Sequence, residues 1–159
     1  FSRVTVRQMD FVRQFQRIVE SYNIPPCYIE AEVTESAFGT NSERVVKTME
    51  TLQKNGYLIV MDDFGAGYSS LNLLTSLPID VLKLDKEFLL EGTSVKRAQI
   101  IIKNIVEMAG LLGIQVVCEG VETEEHLQFL KKIGCEIGQG YYFSRPLPVS
   151  VFWDKYHVF

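Results

Sequence analysis

Tyr57-Leu58-Ile59-Val60-Met61-Asp62-Asp63-Phe64-Gly65-Ala66-Gly67-Tyr68-Ser69-Ser70-Leu71 is the stretch that decides how this chain is read. Residues 57–61 form a short β-rich run, which stops at two adjacent carboxylates. A loop with two glycines follows. Similar β-rich runs occupy residues 28–33, 81–84 and 114–118, and residues 4–6 read as an earlier strand. Helical spacing lies between them. Phe11, Phe15, Ile18, Val19 and Tyr22 share one stripe. Val45, Met49 and Leu52 form a second, started by a capping box at Thr40 and Glu43 and stopped by Gly56. Ile101, Ile105, Met108 and Leu112 make a third, closed by Gly113, and Leu127 and Leu130 belong to a fourth, closed by Gly134. Repeated strand–helix alternation predicts a parallel sheet covered by helices, in one domain over residues 1–159.

Two architectures fit that alternation, an open doubly wound sheet and a closed barrel. A dinucleotide-binding sheet wants a glycine-rich fingerprint after its first strand, and this sequence has none. The polar residues at the strand ends favour the barrel. The first full strand ends in Glu32, with Thr34 and Glu35 just beyond, and the next in Asp62-Asp63. The third contains Lys83 and ends at Asp85. The fourth ends in Glu119, followed by Gly120-Val121-Glu122, and a last short run gives Gln139-Gly140-Tyr141. In a (β/α) barrel the C-terminal strand ends gather at one face, where active sites lie.

Taken singly, these residues have plainer readings. Glu35 and Glu122 read equally well as helix caps, and Lys83 as a side chain reaching solvent. The loop after Asp63 reads either as a close approach to a partner or as an ordinary turn capped by Ser69 or Ser70. As a set they are harder to dismiss, because clustered carboxylates repel one another unless protonated, paired or holding cations. With no His or Cys in the set, the ligands are hard oxygens, which favours Mg²⁺ or Mn²⁺ over zinc. Two such ions spanning a phosphodiester would neutralise its developing charge, and a lysine among them suits phosphate oxygens or the attacking water.

Composition sets the outer limits. The 159 residues are 47% hydrophobic, with a net charge of −4 and no basic block, which disfavours a nucleic-acid polymer as partner. No apolar stretch reaches the ~20 residues of a membrane span. The three cysteines, Cys27, Cys118 and Cys135, form no Cys-x-x-Cys pair and read as buried free thiols in a reducing cytoplasm. The chain opens inside an apparent strand, so further sequence upstream is expected.

The segments Glu32-Val33-Thr34-Glu35, residues 62–71, Leu82-Lys83-Leu84-Asp85, Glu119-Gly120-Val121-Glu122-Thr123 and Gln139-Gly140-Tyr141 resemble, in order, the motifs of the EAL phosphodiesterase family. The resemblance implies a (β/α)₈ TIM-type barrel, of which this chain supplies roughly the last six strand–helix units. It implies hydrolysis of cyclic di-GMP to linear pGpG with Mg²⁺ or Mn²⁺ in a two-metal site, in bacterial signalling. By position, Glu32, Asp62 and Glu119 correspond to metal ligands and Asp63 to the second-metal ligand. Lys83 corresponds to the residue that holds or activates the attacking water, so that Lys83, Glu119 and Asp63 carry catalysis. Gln139, Glu122 and Asp85 correspond to supporting or substrate-binding residues. Glu35, Phe64, Gly65, Gly67, Ser69 and Ser70 belong to the loop near the family's dimer interface.

Two departures from the family pattern matter. The Glu-Ala-Leu motif would lie upstream of Phe1, and Arg3 stands where the family has a metal-binding Asn. An Arg offers no acceptor and would impair a divalent site. Three readings follow: an active phosphodiesterase, a degenerate domain that binds cyclic di-GMP or a protein partner without turnover, and a dimerising structural module. The expected partners are cyclic di-GMP, a second copy in a homodimer, and an upstream sensor or cyclase-like domain. The expected location is the cytoplasm, either free or as the cytoplasmic part of a membrane-anchored protein.

Overall fold

Parallel strands form ladders on both edges and are covered on their faces, so their apolar runs are nearly continuous. In the structure, a computed structural model that describes residues 10–34, 37, 42–65, 71–89 and 95–156, these runs become five strands. They are β1 (Glu30–Thr34), β2 (Leu58–Phe64), β3 (Val81–Leu84), β4 (Gln115–Cys118) and the two-residue β5 (Ile137–Gly138). The helices are α1 (Phe11–Ser21), α2 (Ser42–Lys54), α3 (Leu71–Ser76), α4 (Val95–Leu111), α5 (Glu124–Lys132) and α6 (Val149–Tyr156). Short 3₁₀ turns sit at Pro26–Tyr28 and Lys86–Leu89.

The strands run in the order β1-β2-β3-β4-β5, every pair parallel, so each strand lies beside the next in sequence. A doubly wound sheet reverses its order at a switch point; this one does not. The order is that of a (β/α) barrel wall. The earlier run at residues 4–6 falls outside the described residues.

One face of the sheet explains the register. Ala31, Val33, Ile59, Met61, Leu82, Leu84, Val116 and Cys118 alternate along β1 to β4 and are all buried. They pack with Val45, Met49 and Leu52 of α2, Ile102, Ile105 and Ala109 of α4, and Leu130 of α5. Each buried Val, Leu, Ile or Met side chain of this set is worth about 1.5–3 kcal/mol. A one-residue slip would turn the whole set away from the helices, so the pairing is strongly fixed. The intervening residues must then face the barrel axis. Glu32 pairs with Val60, Thr34 with Asp62, Val60 with Val81 and Lys83 with Val117. This inner face carries the charge.

At the opposite end of the sheet Asp80 ties strands together. Its Oδ2 accepts the Ile59 N–H at 2.8 Å and its Oδ1 accepts Gln53 Nε2 at 2.9 Å. Its own backbone N–H reaches Ile59 O and its carbonyl takes the Gln115 N–H, both at 2.9 Å. This carboxylate is spent on holding β2, β3 and β4 in register.

Several details differ from the sequence expectation. The buried stripe of α4 is Ile102, Ile105 and Ala109, while Ile101 and Leu112 are half exposed. Three consecutive isoleucines, Ile100-Ile101-Ile102, let helical spacing fit either face. On α1 the inward residues are Phe11, Phe15 and Val19; Ile18 is exposed, and Tyr22 is exposed beyond the helix end. Cys118 and Cys135 are buried free thiols, and burial pushes the Cys118 thiol up to about 12. Cys27 is instead exposed, on the turn before β1. The helix stops at Gly56, Gly113 and Gly134 all have left-handed backbone, as read. Thr40 lies outside the described residues.

The α4 assignment is directly testable. Ile102→Ala is expected to cost about 2–5 kcal/mol in urea unfolding, whereas Ile101→Ala stays within about 0.5 kcal/mol. Equal costs would contradict the packing face.

Candidate active site at the strand ends

Lys83 is the second-to-last residue of β3 and points to the inner face. Its Nζ lies 3.0 Å from Glu32 Oε1, 3.0 Å from Asp62 Oδ1 and 2.8 Å from Glu119 Oε1. The partners come from β1, β2 and the residue just after β4, so one ammonium joins groups from three separate parts of the sheet. The lysine side chain is 13% exposed; those of Asp62 and Glu119 are 20% and 23% exposed, and that of Glu32 is 44% exposed. Burial alone would push the ammonium towards its neutral form. Hydrogen bonding of the ammonium to the Glu119, Glu32 and Asp62 carboxylates outweighs it and raises the lysine above its ordinary range. Surrounded by these carboxylates, Lys83 is held in its ammonium form.

Asp62 and Asp63 sit where β2 loses its regular register against β3, between Met61 and Phe64. Such an irregularity re-aims side chains at a strand end. It also puts Asp63 at φ 57°, in the left-handed region that few residues other than Gly, Asn and Asp adopt. Partial loss of hydration pushes the Asp63 carboxyl group up, and the charges of Asp62, Asp85 and Glu32 push the same way, against Lys83. A strained carboxylate with a raised pKa is what a strand end gains from being crowded by like charge.

Beyond β4 the chain folds back through Gly120, whose φ is +72° and whose missing Cβ would lie 2.3 Å from Lys86 Cβ. Val121 N–H donates to Gln139 O, Gln139 N–H to Cys118 O, and Tyr142 N–H to Val121 O. These bonds lay the segment carrying Gln139 beside the one carrying Glu119 and Glu122. Between them is a depression of about 190 Å³ lined by Lys86, Glu119, Glu122, Gln139 and Tyr141. The Arg145 guanidinium stacks 4.4 Å above the Tyr141 ring. Glu122 and Gln139 are exposed, and the Glu122 N–H faces His126 Nδ1 at 3.4 Å. Asp85 Oδ1 accepts the Glu87 N–H at 2.7 Å and so caps the 3₁₀ turn at Lys86–Leu89. Lys86 was not singled out in the sequence; the signal was a cation immediately after the polar end of β3.

Residues 2–146 match the family model described as EAL domain. The chain belongs to the EAL domain family. It is 41% identical over 139 residues to the cyclic di-GMP phosphodiesterase NbdA of Pseudomonas aeruginosa, covering 87% of this chain and 18% of that protein. Among solved structures it is similar to the EAL domain of Mycobacterium smegmatis DcpA, with TM-score 0.90, 35% identity, and coverage of 97% of this chain and 69% of the other. It is also similar to Klebsiella pneumoniae BlrP1 in a manganese/cy-diGMP complex, with TM-score 0.81, 34% identity, and coverage of 89% and 36%. The chain spans about a fifth of the length of most curated relatives it matches. With these neighbours, the parallel sheet is part of the EAL (β/α)₈ barrel.

In this EAL chain the structure brings Glu32, Asp62, Lys83 and Glu119 into direct contact and places Asp63 beside them. Gln139 and Glu122 line the depression together with Glu119. Phe64 is the last residue of β2 and is buried in the core, with Gly65 following. Arg3, Glu35, Gly67, Ser69 and Ser70 lie outside the described residues. Among the described residues no three His, Cys, Asp or Glu side chains form a ready cage for a metal ion. The donor chemistry nevertheless suits a hard divalent ion: carboxylates only, each partly open to solvent, with a net negative balance around one ammonium.

The backbone at Asp63 yields a stability test. Asp63→Asn keeps the left-handed conformation and is expected to leave metal-free stability unchanged or higher. Asp63→Val should lose about 1–2 kcal/mol in urea unfolding, because a β-branched side chain resists that backbone. Equal behaviour of the two would count against strain at this position.

Proposed function

We propose that this chain forms the catalytic face of a phosphodiesterase that opens cyclic di-GMP to linear pGpG. The carrying observation is the convergence of Glu32, Asp62 and Glu119 on Lys83 at the C-terminal strand ends, with Asp63 crowded beside them. The names of the relatives support the substrate: NbdA is a cyclic di-GMP phosphodiesterase, and BlrP1 is described with manganese and cyclic di-GMP.

Glu32, Asp62, Asp63 and Glu119 would hold Mg²⁺ or Mn²⁺. When bound, such ions supply Lewis-acid stabilisation of the phosphoryl oxygens and an activated water. The chain's own groups do the rest. Lys83, an ammonium among these carboxylates, would donate to a phosphate oxygen or to the attacking water. Glu122 and Gln139 offer an acceptor and an amide beside Glu119, where they orient the substrate. Water adds at phosphorus, one P–O bond to the ribose breaks, and the released oxygen takes up a proton. An apolar cleft of about 390 Å³ lined by Phe64, Gly65, Phe88, Ile101 and Met108 supports a homodimer contact at that face.

A second reading keeps cyclic di-GMP binding and drops turnover. Arg3, at the position of a metal-binding Asn in the family, favours it.

The test is turnover by the full-length protein with Mn²⁺ and with Mg²⁺, resolving pGpG by chromatography. The expected result is pGpG, reduced about 100-fold or more by Asp63→Ala, since several kcal/mol of charge stabilisation are removed. Nucleotide binding without pGpG, with turnover gained in Arg3→Asn, would replace the enzyme reading by the receptor one.

A further inference from the structure

An ammonium has three N–H donors and no more. In this structure Lys83 directs its nitrogen at three carboxylate oxygens, Glu32 Oε1, Asp62 Oδ1 and Glu119 Oε1, at 2.8–3.0 Å. Lys83 donates a hydrogen bond to Glu32 Oε1 and pairs with Asp62 and Glu119, so its ammonium is directed at the groups that would hold the divalent ions. One positive charge faces three negative ones, with Asp63 adjoining. The same oxygens cannot serve the ammonium and a divalent ion at full strength, because the two cations repel across a few ångströms.

We propose that Lys83 is an internal counter-cation that keeps the carboxylates assembled without metal, and that metal entry releases its donors for the substrate. Lys83 thereby couples metal occupancy to catalytic competence: an unloaded site is stable but keeps its ammonium on the carboxylates, and a loaded one presents a freed ammonium. The geometry gives the reason for a lysine here in preference to an arginine. A compact ammonium on a flexible stem fits between three oxygens and swings away, whereas a planar fork does not. This rests on the reading that divalent ions bind Glu32, Asp62 and Glu119.

The experiment compares wild type with Lys83→Met in the full-length protein, stripped with EDTA and then titrated with Mn²⁺, using calorimetric Tm and isothermal titration. Metal-free Lys83→Met should melt more than about 5 °C below wild type, since three carboxylates lose their shared partner. Mn²⁺ should restore most of that loss, so its Tm shift is larger in the variant and its affinity at least about tenfold tighter. Equal Mn²⁺ shifts and affinities in both proteins would overturn the proposal and leave the phosphodiesterase reading standing. No Mn²⁺ binding to either would overturn both. Should Lys83→Met fold only with Mn²⁺ and unfold in EDTA while wild type does not, the proposal is supported; a variant unfolded in both conditions overturns it.

Discussion

Glu32, Asp62 and Glu119 meet the ammonium of Lys83 within 3.0 Å, and each arrives from a different stretch of chain. Nothing local holds these groups together. Residues 32 and 119 are far apart in sequence, and their approach depends on the sheet register alone. That register is set by the opposite face, where apolar residues from β1 to β4 are buried against the helices. The hydrophobic demand of the outer face thus aims the charged residues of the inner one. Lys83 then makes the aimed cluster tolerable, because three unpaired carboxylates at partial burial would repel and lose hydration together.

Carboxylates at the two ends of the sheet have opposite fates. Asp80, before β3, is consumed by backbone and amide donors and contributes to assembly. Asp63, in the irregular end of β2, sits in a left-handed conformation with its charge disfavoured by lost hydration and by its acidic neighbours. The first arrangement is what stability requires. The second costs stability and is offset by the core beneath it, as barrels commonly separate a stabilising end from a working end.

Much of this was legible in the sequence. The β-rich runs marked β1 to β4 because their outer face must be apolar to meet the helices, and the polar residues at their ends stood out against those runs. The helix stops at Gly56, Gly113 and Gly134 could be read because a left-handed residue closes a helix most cheaply with glycine. Other features had no unambiguous signal. The inward face of α4 could not be chosen among Ile100, Ile101 and Ile102, since spacing alone fits more than one stripe. The helices α3 and α6 are only 6 and 8 residues long, too short for periodicity to register. β5 lies at Ile137–Gly138, just before the polar run at Gln139, and its two residues carry no alternation to detect. Lys83 stood out as a cation among the strand-end carboxylates, but its three contacts join positions tens of residues apart and depend on fold geometry.

The most direct test of the account is a crystal structure of the full-length protein with Mn²⁺ and cyclic di-GMP, measured at the manganese absorption edge. The account predicts anomalous density among the carboxylates of Glu32, Asp62 and Glu119, next to a scissile phosphate. Nucleotide bound at the strand ends with no anomalous density at those carboxylates would contradict it.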